Sequence, residues 1–355
     1  WQKSPSTFAV NMQPSSDLPV LPGCEVELSR LHNGPVDDAV LSFYADKGSQ
    51  RISVSFDGNS ARYGPAEVSM HLRQAIELLR SVVSGNVAKG IKQPAIISPS
   101  ERHEVLTVFN ETSVSLSGGL LPELFEQQAV RCPQALALVS GSERLSYEAL
   151  EHRSNQVARY LVGMGVGPEQ VVAIALERSS AMVCALLGIL KSGAAYLPLD
   201  PAYPRERLHY MLQDSGAQVV LSSREVWSTV GEEAVSCAVL LVDDEFFEQR
   251  LAGQSTRALS QSERVRPLRE TNLAYIIYTS GSTGLPKGVG NTHGGLHNRI
   301  EWMRQSLSID ENDRILQKTP FSFDVSVWEF FLPLLSGATL VMAKPEGHKD
   351  PSYLQ

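Results

Sequence analysis

The chain predicts an α/β fold, parallel strands flanked by helices, with a smaller α/β unit ahead of it. Three observations carry this. From Leu120 onward, apolar runs of strand length (171–175, 195–199) alternate with helical stripes (181–191, 205–214), the spacing that strand–helix–parallel-strand units require. Residues 38–45 and 51–56 alternate apolar and polar positions around Asp46-Lys47-Gly48-Ser49, a hairpin signal. Directly after them, Val68, Leu72, Ile76, Leu79 and Val83 recur at helical spacing over 65–83.

The remaining elements follow in order. Phe8-Ala9-Val10-Asn11 and residues 26–31 read as short strands, so residues 1–90 make a sheet edge, a hairpin and a closing helix. Residues 91–117 are read as a linker, in which Ser98-Pro99-Ser100-Glu101 forms a capping box with proline at the first helical position. Residues 118–355 form the larger unit. There 120–130 reads as a helix and 135–140 as a strand, and 146–164 as a helix striped with Leu150, Val157 and Leu161 and started by Ser146 and Glu148. Strands are expected at 219–221 and 238–242, and helices at 298–307 and 325–335. Residues 245–270 are so polar that an exposed loop is expected.

Composition narrows the function. With 355 residues, 43% of them hydrophobic, and a mean hydropathy of -0.10, the chain can bury a large core in two or more domains. A net charge of -8 and a pI near 5.6 supply no basic excess for nucleic acid. Cys24, Cys132, Cys184 and Cys237 are far apart and lack metal-ligand spacing, as expected of reduced buried thiols in a cytoplasmic protein. The longest apolar run, 181–190, is too short for a bilayer, and no secretory leader is visible. A chain that begins at Trp1 and stops at Gln355 without a terminal signature is expected to be a piece of a longer polypeptide.

The stretch with most chemistry is LAYIIYTSGSTGLPKG, residues 273–288. Its apolar, β-branched and aromatic start reads as a buried strand. Thr279, Ser280, Gly281, Ser282, Thr283 and Gly284 follow, with Lys287 just beyond. Glycines let backbone N–H groups converge, hydroxyls add donors, and a lysine adds charge, which together suit a polyphosphate. The spacing is neither that of a Walker A loop nor that of a dinucleotide-binding G-x-G-x-x-G turn. Taken alone the loop is equally compatible with a flexible connection.

YTSGSTGLPKGV resembles, residue for residue, the phosphate loop of adenylate-forming enzymes, in particular the adenylation domains of nonribosomal peptide synthetases. LKSGAAYLPLDPAYPRERL (190–208) and LSYEAL (145–150) are similar to two further stretches of those domains, and their own residues are accounted for by turn chemistry. The resemblance implies the N-terminal subdomain of the adenylate-forming (ANL) fold, with ATP, Mg²⁺ and an amino acid as reactants. It implies that Thr279, Ser280, Gly281, Ser282, Thr283, Gly284 and Lys287 hold the β- and γ-phosphates. The aminoacyl-AMP would pass to the phosphopantetheine of a carrier domain. The lysine of the family's C-terminal lid and its adenine and ribose contacts would lie beyond Gln355, so the chain by itself is expected to be inactive. FAVNMQP, HNGPVDDAVLSFY and the segment to Leu79 resemble the C-terminal end of a condensation domain of siderophore synthetases of the enterobactin type. That family's HHxxxDG motif is absent, so residues 1–90 are read as an inert remnant.

Toward the C-terminus Asp324 sits among Phe321, Phe323, Val325, Val327, Trp328, Phe330 and Phe331. A carboxylate buried there would need a cation; equally, Asp324 could cap the helix that follows. In the resembled family the Asp of FDxSVWE holds the substrate ammonium, and the positions of Val325 and Trp328 line the side-chain pocket, with Trp328 one turn after Asp324 on the same face. Asp324, Val325 and Trp328 together are similar to serine-selecting members. Glu329 is a supporting acid without catalytic weight. His293 and His297 are four apart but without a third ligand, so a solvated helix face is expected and no metal site. Two rival readings remain: an acyl- or aryl-CoA ligase, which shares the loop but offers Asp324 no amine, and a non-catalytic interdomain scaffold.

Overall fold

The computed structural model describes residues 8–13, 36–46, 51–83, 96–116, 119–231, 237–280 and 284–354. The chain divides into two compact units, 1–115 and 116–355. The strand expected at 26–31, and Cys24, lie outside the described residues.

In the first unit β1 (Phe8–Gln13), β2 (Ala39–Asp46) and β3 (Arg51–Gly58) form one sheet in that order. β1 runs parallel to β2, and β2 pairs with β3 as the expected hairpin, from Ala39↔Gly58 to Asp46↔Arg51. Buried Asp38 accepts from Tyr63 Oη at 3.0 Å and Arg62 Nη1 at 3.2 Å, tying the end of β3 back to the start of β2. Helix α1 (Pro65–Val83) follows, with His71 against Phe56 of β3 at 5.4 Å. Helix α2 (Pro99–Leu106) starts with the expected box: Ser98 Oγ accepts from Glu101 N at 3.2 Å, and Glu101 accepts from Ser98 N at 2.9 Å.

The second unit opens with α3 (Leu121–Arg131), β4 (Leu136–Ser140), β5 (Glu143–Ser146) and α4 (Tyr147–Gly163), whose N-cap is Ser146. Next come β6 (Val171–Ala175), α5 (Ser180–Ser192), β7 (Ala195–Pro198), α6 (Arg205–Ser215), β8 (Val219–Ser222), α7 (Arg224–Val230), β9 (Ala238–Leu241) and α8 (Glu245–Ala252). The chain continues through β10 (Leu273–Thr279), β11 (Lys287–Thr292), α9 (His293–Leu307), β12 (Arg314–Gln317), α10 (Val325–Ser336), β13 (Thr339–Met342) and α11 (Pro351–Leu354).

A six-stranded sheet has the order β11-β10-β7-β6-β8-β9, and a four-stranded sheet the order β12-β13-β4-β5. Both are parallel except at one edge, where β11 and β5 run antiparallel to their neighbours, so the expected parallel sheets are mixed. The larger sheet is covered on both faces. Val172 and Ile174 of β6 face one core, shared with α5, α9 and α10, while Val171, Ala173 and Ala175 face another, shared with α6 and α7. Two-sided burial is why β6 is continuously apolar instead of alternating. Helix α5 is buried on nearly all sides, as its apolar circumference requires. Gly188 lets α4 approach it closely: a Cβ there would stand 2.5 Å from Val157 Cγ1.

Residues 245–270 are not the expected exposed loop. Phe247 of α8, Leu259, Arg264 and Leu268 are buried. Besides these apolar contacts, hydrogen bonds from neighbouring side chains hold the segment. Asn155 Nδ2 donates to Thr256 O at 2.8 Å, Arg159 Nη2 to Ala258 O at 3.0 Å, and Arg264 Nε to Lys191 O at 2.8 Å. Lys191 itself is buried and bonded to Glu151 and, at 2.7 Å, to Asn155. Cys184 is buried, whereas Cys132 and Cys237 are only partly so. Among the described residues no helix is long and apolar enough to cross a membrane.

Candidate active site

Strand β10 leads to the site. Its centre is buried between β7 and β11, and it ends at exposed Thr279. Thr279 pairs with Lys287, so residues 280–286 connect two adjacent antiparallel strands. Gly284 has φ +88°, a left-handed conformation that side chains resist. Gly288 pairs with Tyr278, and a Cβ there would meet the Tyr278 ring at 3.1 Å. Gly281, Ser282 and Thr283 lie outside the described residues.

Beside the end of β10 is a cavity of about 490 Å³. Thr279 and Ser280 line one side, Tyr203 and Arg207 from α6 and the turn before it another, and Ser322, Phe323 and Asp324 a third. This is the C-terminal end of the parallel strands, where open α/β sheets receive ligands. Ligand-sized clefts with a few convergent polar groups have this form.

Asp324 is not buried, contrary to expectation. Its neighbours Phe323 and Val325 are themselves 54% and 49% exposed, so their apolar character does not enclose it. Nor does it cap α10 with its side chain: it occupies the N-cap position with helical φ -62° and ψ -25° and makes no cap hydrogen bond. Ser326 Oγ bonds Phe323 O at 2.6 Å there instead. The Asp324 carboxylate is therefore open to the cavity. Its charge also reaches Tyr275, whose hydroxyl is pushed up first by burial and then by Asp324.

The turn that carries Asp324 is fixed from several sides. Tyr203 Oη donates to Ser322 Oγ at 3.1 Å. Buried Glu329 accepts from Thr319 N at 2.9 Å, Thr319 Oγ1 at 2.7 Å, Lys318 N at 3.1 Å and Gln317 Nε2 at 3.2 Å. Arg178 Nε donates to Gln317 Oε1 at 3.0 Å, and Arg178 Nη2 to Lys318 O. Glu329 is thus a supporting acid, and what it supports is the backbone leading to the turn.

Of the residues expected in the site, Thr279, Ser280 and Asp324 share the cavity. Lys287 lies across from Thr279 at the base of the hairpin. Val325 and Trp328 lie outside the cavity lining: Val325 is exposed, and Trp328 packs half-buried against the main core. Tyr203 and Arg207 were given only turn roles by the sequence, although their i, i+4 spacing was the available signal for a shared face. His293 and His297 are not on a solvated face. Both are buried with Leu296, Ile300 and Met303 along one stripe of α9. The His293 ring nitrogens have no hydrogen-bond partner, and burial pushes its pKa down to about 4. Among the described residues no group of three or more His, Cys, Asp or Glu could hold a metal ion.

Residues 125–355 match the family model described as "AMP-binding enzyme", so the chain belongs to that family. It is 36% identical over 324 residues to a dimodular nonribosomal peptide synthase of Bacillus subtilis (strain 168), covering 91% of this chain and 13% of that protein. Two ligand-bound crystal structures of the nonribosomal peptide synthetase FmoA3 (S1046A) are similar to the chain. The AMPPNP-bound form has a TM-score of 0.74 at 27% identity, covering 95% of this chain and 35% of that one. The form bound to α-methyl-L-serine-AMP has a TM-score of 0.75 at 27% identity, covering 97% and 38%. The chain thus spans a small part of the length of these relatives.

Proposed function

We propose that the chain is the N-terminal part of an amino-acid adenylation domain, residues 118–355, within a nonribosomal peptide synthetase. Residues 1–90 are the end of a condensation domain and 91–117 the linker. The observation that carries this reading is that Thr279 and Ser280, which open the Gly/Ser/Thr loop, line one cavity with Asp324, a carboxylate with no side-chain partner among the described residues. Relatives with ATP-analogue and aminoacyl-AMP ligands support it.

In this reading residues 279–284 and Lys287 hold the β- and γ-phosphates of ATP, and Asp324 holds the substrate ammonium. Val325 and Trp328, which lie outside the cavity lined by Asp324, would bound the side-chain pocket once substrate is seated, with serine as the substrate. A carboxylate oxygen of the amino acid bonds to the α-phosphorus. The bond from that phosphorus to the bridging oxygen breaks, and its electron pair leaves on pyrophosphate. Fixed donors at the loop offset the growing charge on the departing phosphates. Mg²⁺ would be carried mainly on the phosphate oxygens, as suits an ion that seldom has an all-protein cage. The phosphopantetheine thiol of a carrier domain of the same cytoplasmic synthetase then loses its proton and bonds to the acyl carbon, and the bond from that carbon to the phosphate oxygen breaks with its electron pair leaving on AMP.

Amino-acid-dependent ATP–pyrophosphate exchange by the complete adenylation domain tests the reading. Serine is expected to support exchange above other amino acids, and the 355-residue chain alone to show no turnover. Exchange driven only by carboxylic acids without an amine would instead make the domain an acyl- or aryl-acid ligase.

A further inference from the structure

Arg207 enters the cavity from α6 and lines it together with Thr279, Ser280 and Asp324. Its guanidinium carbon stands 4.0 Å from the centroid of the Tyr203 ring. That ring is itself held, because Tyr203 Oη donates to buried Ser322 at 3.1 Å. Stacking on a tethered ring fixes the plane of the guanidinium fork. Yet its Nε is buried without a hydrogen-bond partner. Among the described residues Arg207 forms no ion pair, Asp324 included. A buried unmet donor is costly, and arginines serving only as packing are normally bonded through it. The Nη groups likewise make no hydrogen bond or ion pair among the described residues, and a planar cation on a cavity wall with those donors free is arranged for an oxyanion.

We propose that Arg207 binds the polyphosphate of the nucleotide, which deepens the functional reading above and rests on it. Two anions meet in adenylation, the substrate carboxylate and the triphosphate. A guanidinium gripping the carboxylate would stabilise the nucleophile before reaction and lose that contact as the oxygen bonds to phosphorus. On the phosphates the contact strengthens as charge moves onto the departing pyrophosphate, and only that arrangement favours the transition state. The position of Thr279 and Ser280 in the same lining agrees with it.

The test is calorimetric titration of inorganic tripolyphosphate into the 355-residue chain, its Arg207→Gln and Arg207→Lys variants, and Asp324→Asn. Arg207→Gln is expected to bind about tenfold more weakly, as loss of a charged hydrogen bond implies, and Arg207→Lys to fall between. Asp324→Asn, which removes a negative charge from the cavity, is expected to bind at least as tightly as wild type. The unliganded Arg207→Gln chain is expected to melt within about 4 °C of wild type, because it loses the stacking contact with Tyr203 but no hydrogen bond or ion pair. Undiminished tripolyphosphate binding by Arg207→Gln overturns the proposal alone. A melting temperature lowered by more than about 4 °C, beyond what loss of the stacking contact accounts for, overturns it in favour of a structural role. Absence of binding by the wild-type chain removes the phosphate reading of the loop, and Arg207 with it.

Discussion

Glu329 accepts the backbone N–H of Thr319 at 2.9 Å and the Thr319 hydroxyl at 2.7 Å, so one buried carboxylate of α10 fixes the strand exit that leads to Asp324. Glu329→Ala leaves two backbone N–H groups and the Thr319 hydroxyl without their acceptor, while Gln317 Nε2 keeps its bond to Thr319 O. The expected loss of stability is about 3 kcal/mol, read by denaturant unfolding. An unchanged midpoint would mean that water takes over these bonds without penalty.

Asp324 should behave in the opposite way. Its carboxylate is exposed and makes no cap bond, so Asp324→Asn is expected to change stability by less than about 0.5 kcal/mol. In the complete domain the same change is expected to lower kcat/KM for the amino acid about a hundredfold, since the ammonium loses its counter-charge. Retained activation would reduce Asp324 to a helix-start residue.

His293 makes stability depend on pH. Its folded pKa is depressed from 6.5 to about 4 by burial, so the unfolded chain binds the proton more readily between those values. Its contribution is complete above pH 6.5 and is lost as pH falls toward 4, by roughly 3 kcal/mol at most. His293→Leu removes the titration, and because the ring nitrogens make no bonds it should flatten the profile without a large loss at pH 7. Equal acid sensitivity in the variant would place the proton uptake elsewhere.

The buried pair of Lys191 and Glu151 gives a cycle. Lys191→Met leaves Glu151 buried and unpaired and is expected to cost about 3–5 kcal/mol. Adding Glu151→Leu should recover much of that loss, as urea unfolding of the single and double variants would report. Additive losses would show that the two charges are not coupled.

The sequence was most readable where one physical requirement dominated. Ser98, Pro99 and Glu101 announce a helix start on their own, and β6 and β10 are apolar because both their faces are covered. Strand β11 was not readable, since KGVGNT carries two glycines and little apolar content and owes its conformation to pairing with β10. The segment after α8 was hidden because polar side chains of α4 dock its backbone, and α8 because Phe247 is its one buried residue. In the site, the place of Thr279 and Ser280 at the exit of a buried strand was legible from the apolar run before them. The setting of Asp324 was misjudged because apolar neighbours signal burial only when they are themselves buried. Arg207 and Tyr203 went unnoticed because their partnership is made across a turn of helix, and only the tether to Ser322 reveals that it faces a cavity.

The pairing of Thr279 with Lys287 has an entropic consequence. Bringing the two ends of a flexible segment together is normally part of the cost of shaping it around a ligand. Here that closure is completed on folding, because the ends are neighbours on adjacent strands whether or not anything is bound. The separation of the two ends is therefore not a quantity that a ligand has to set. On the phosphate-binding role proposed above, lengthening the segment is expected to lower affinity gently, whereas unpicking the strand pair beneath it is expected to abolish binding.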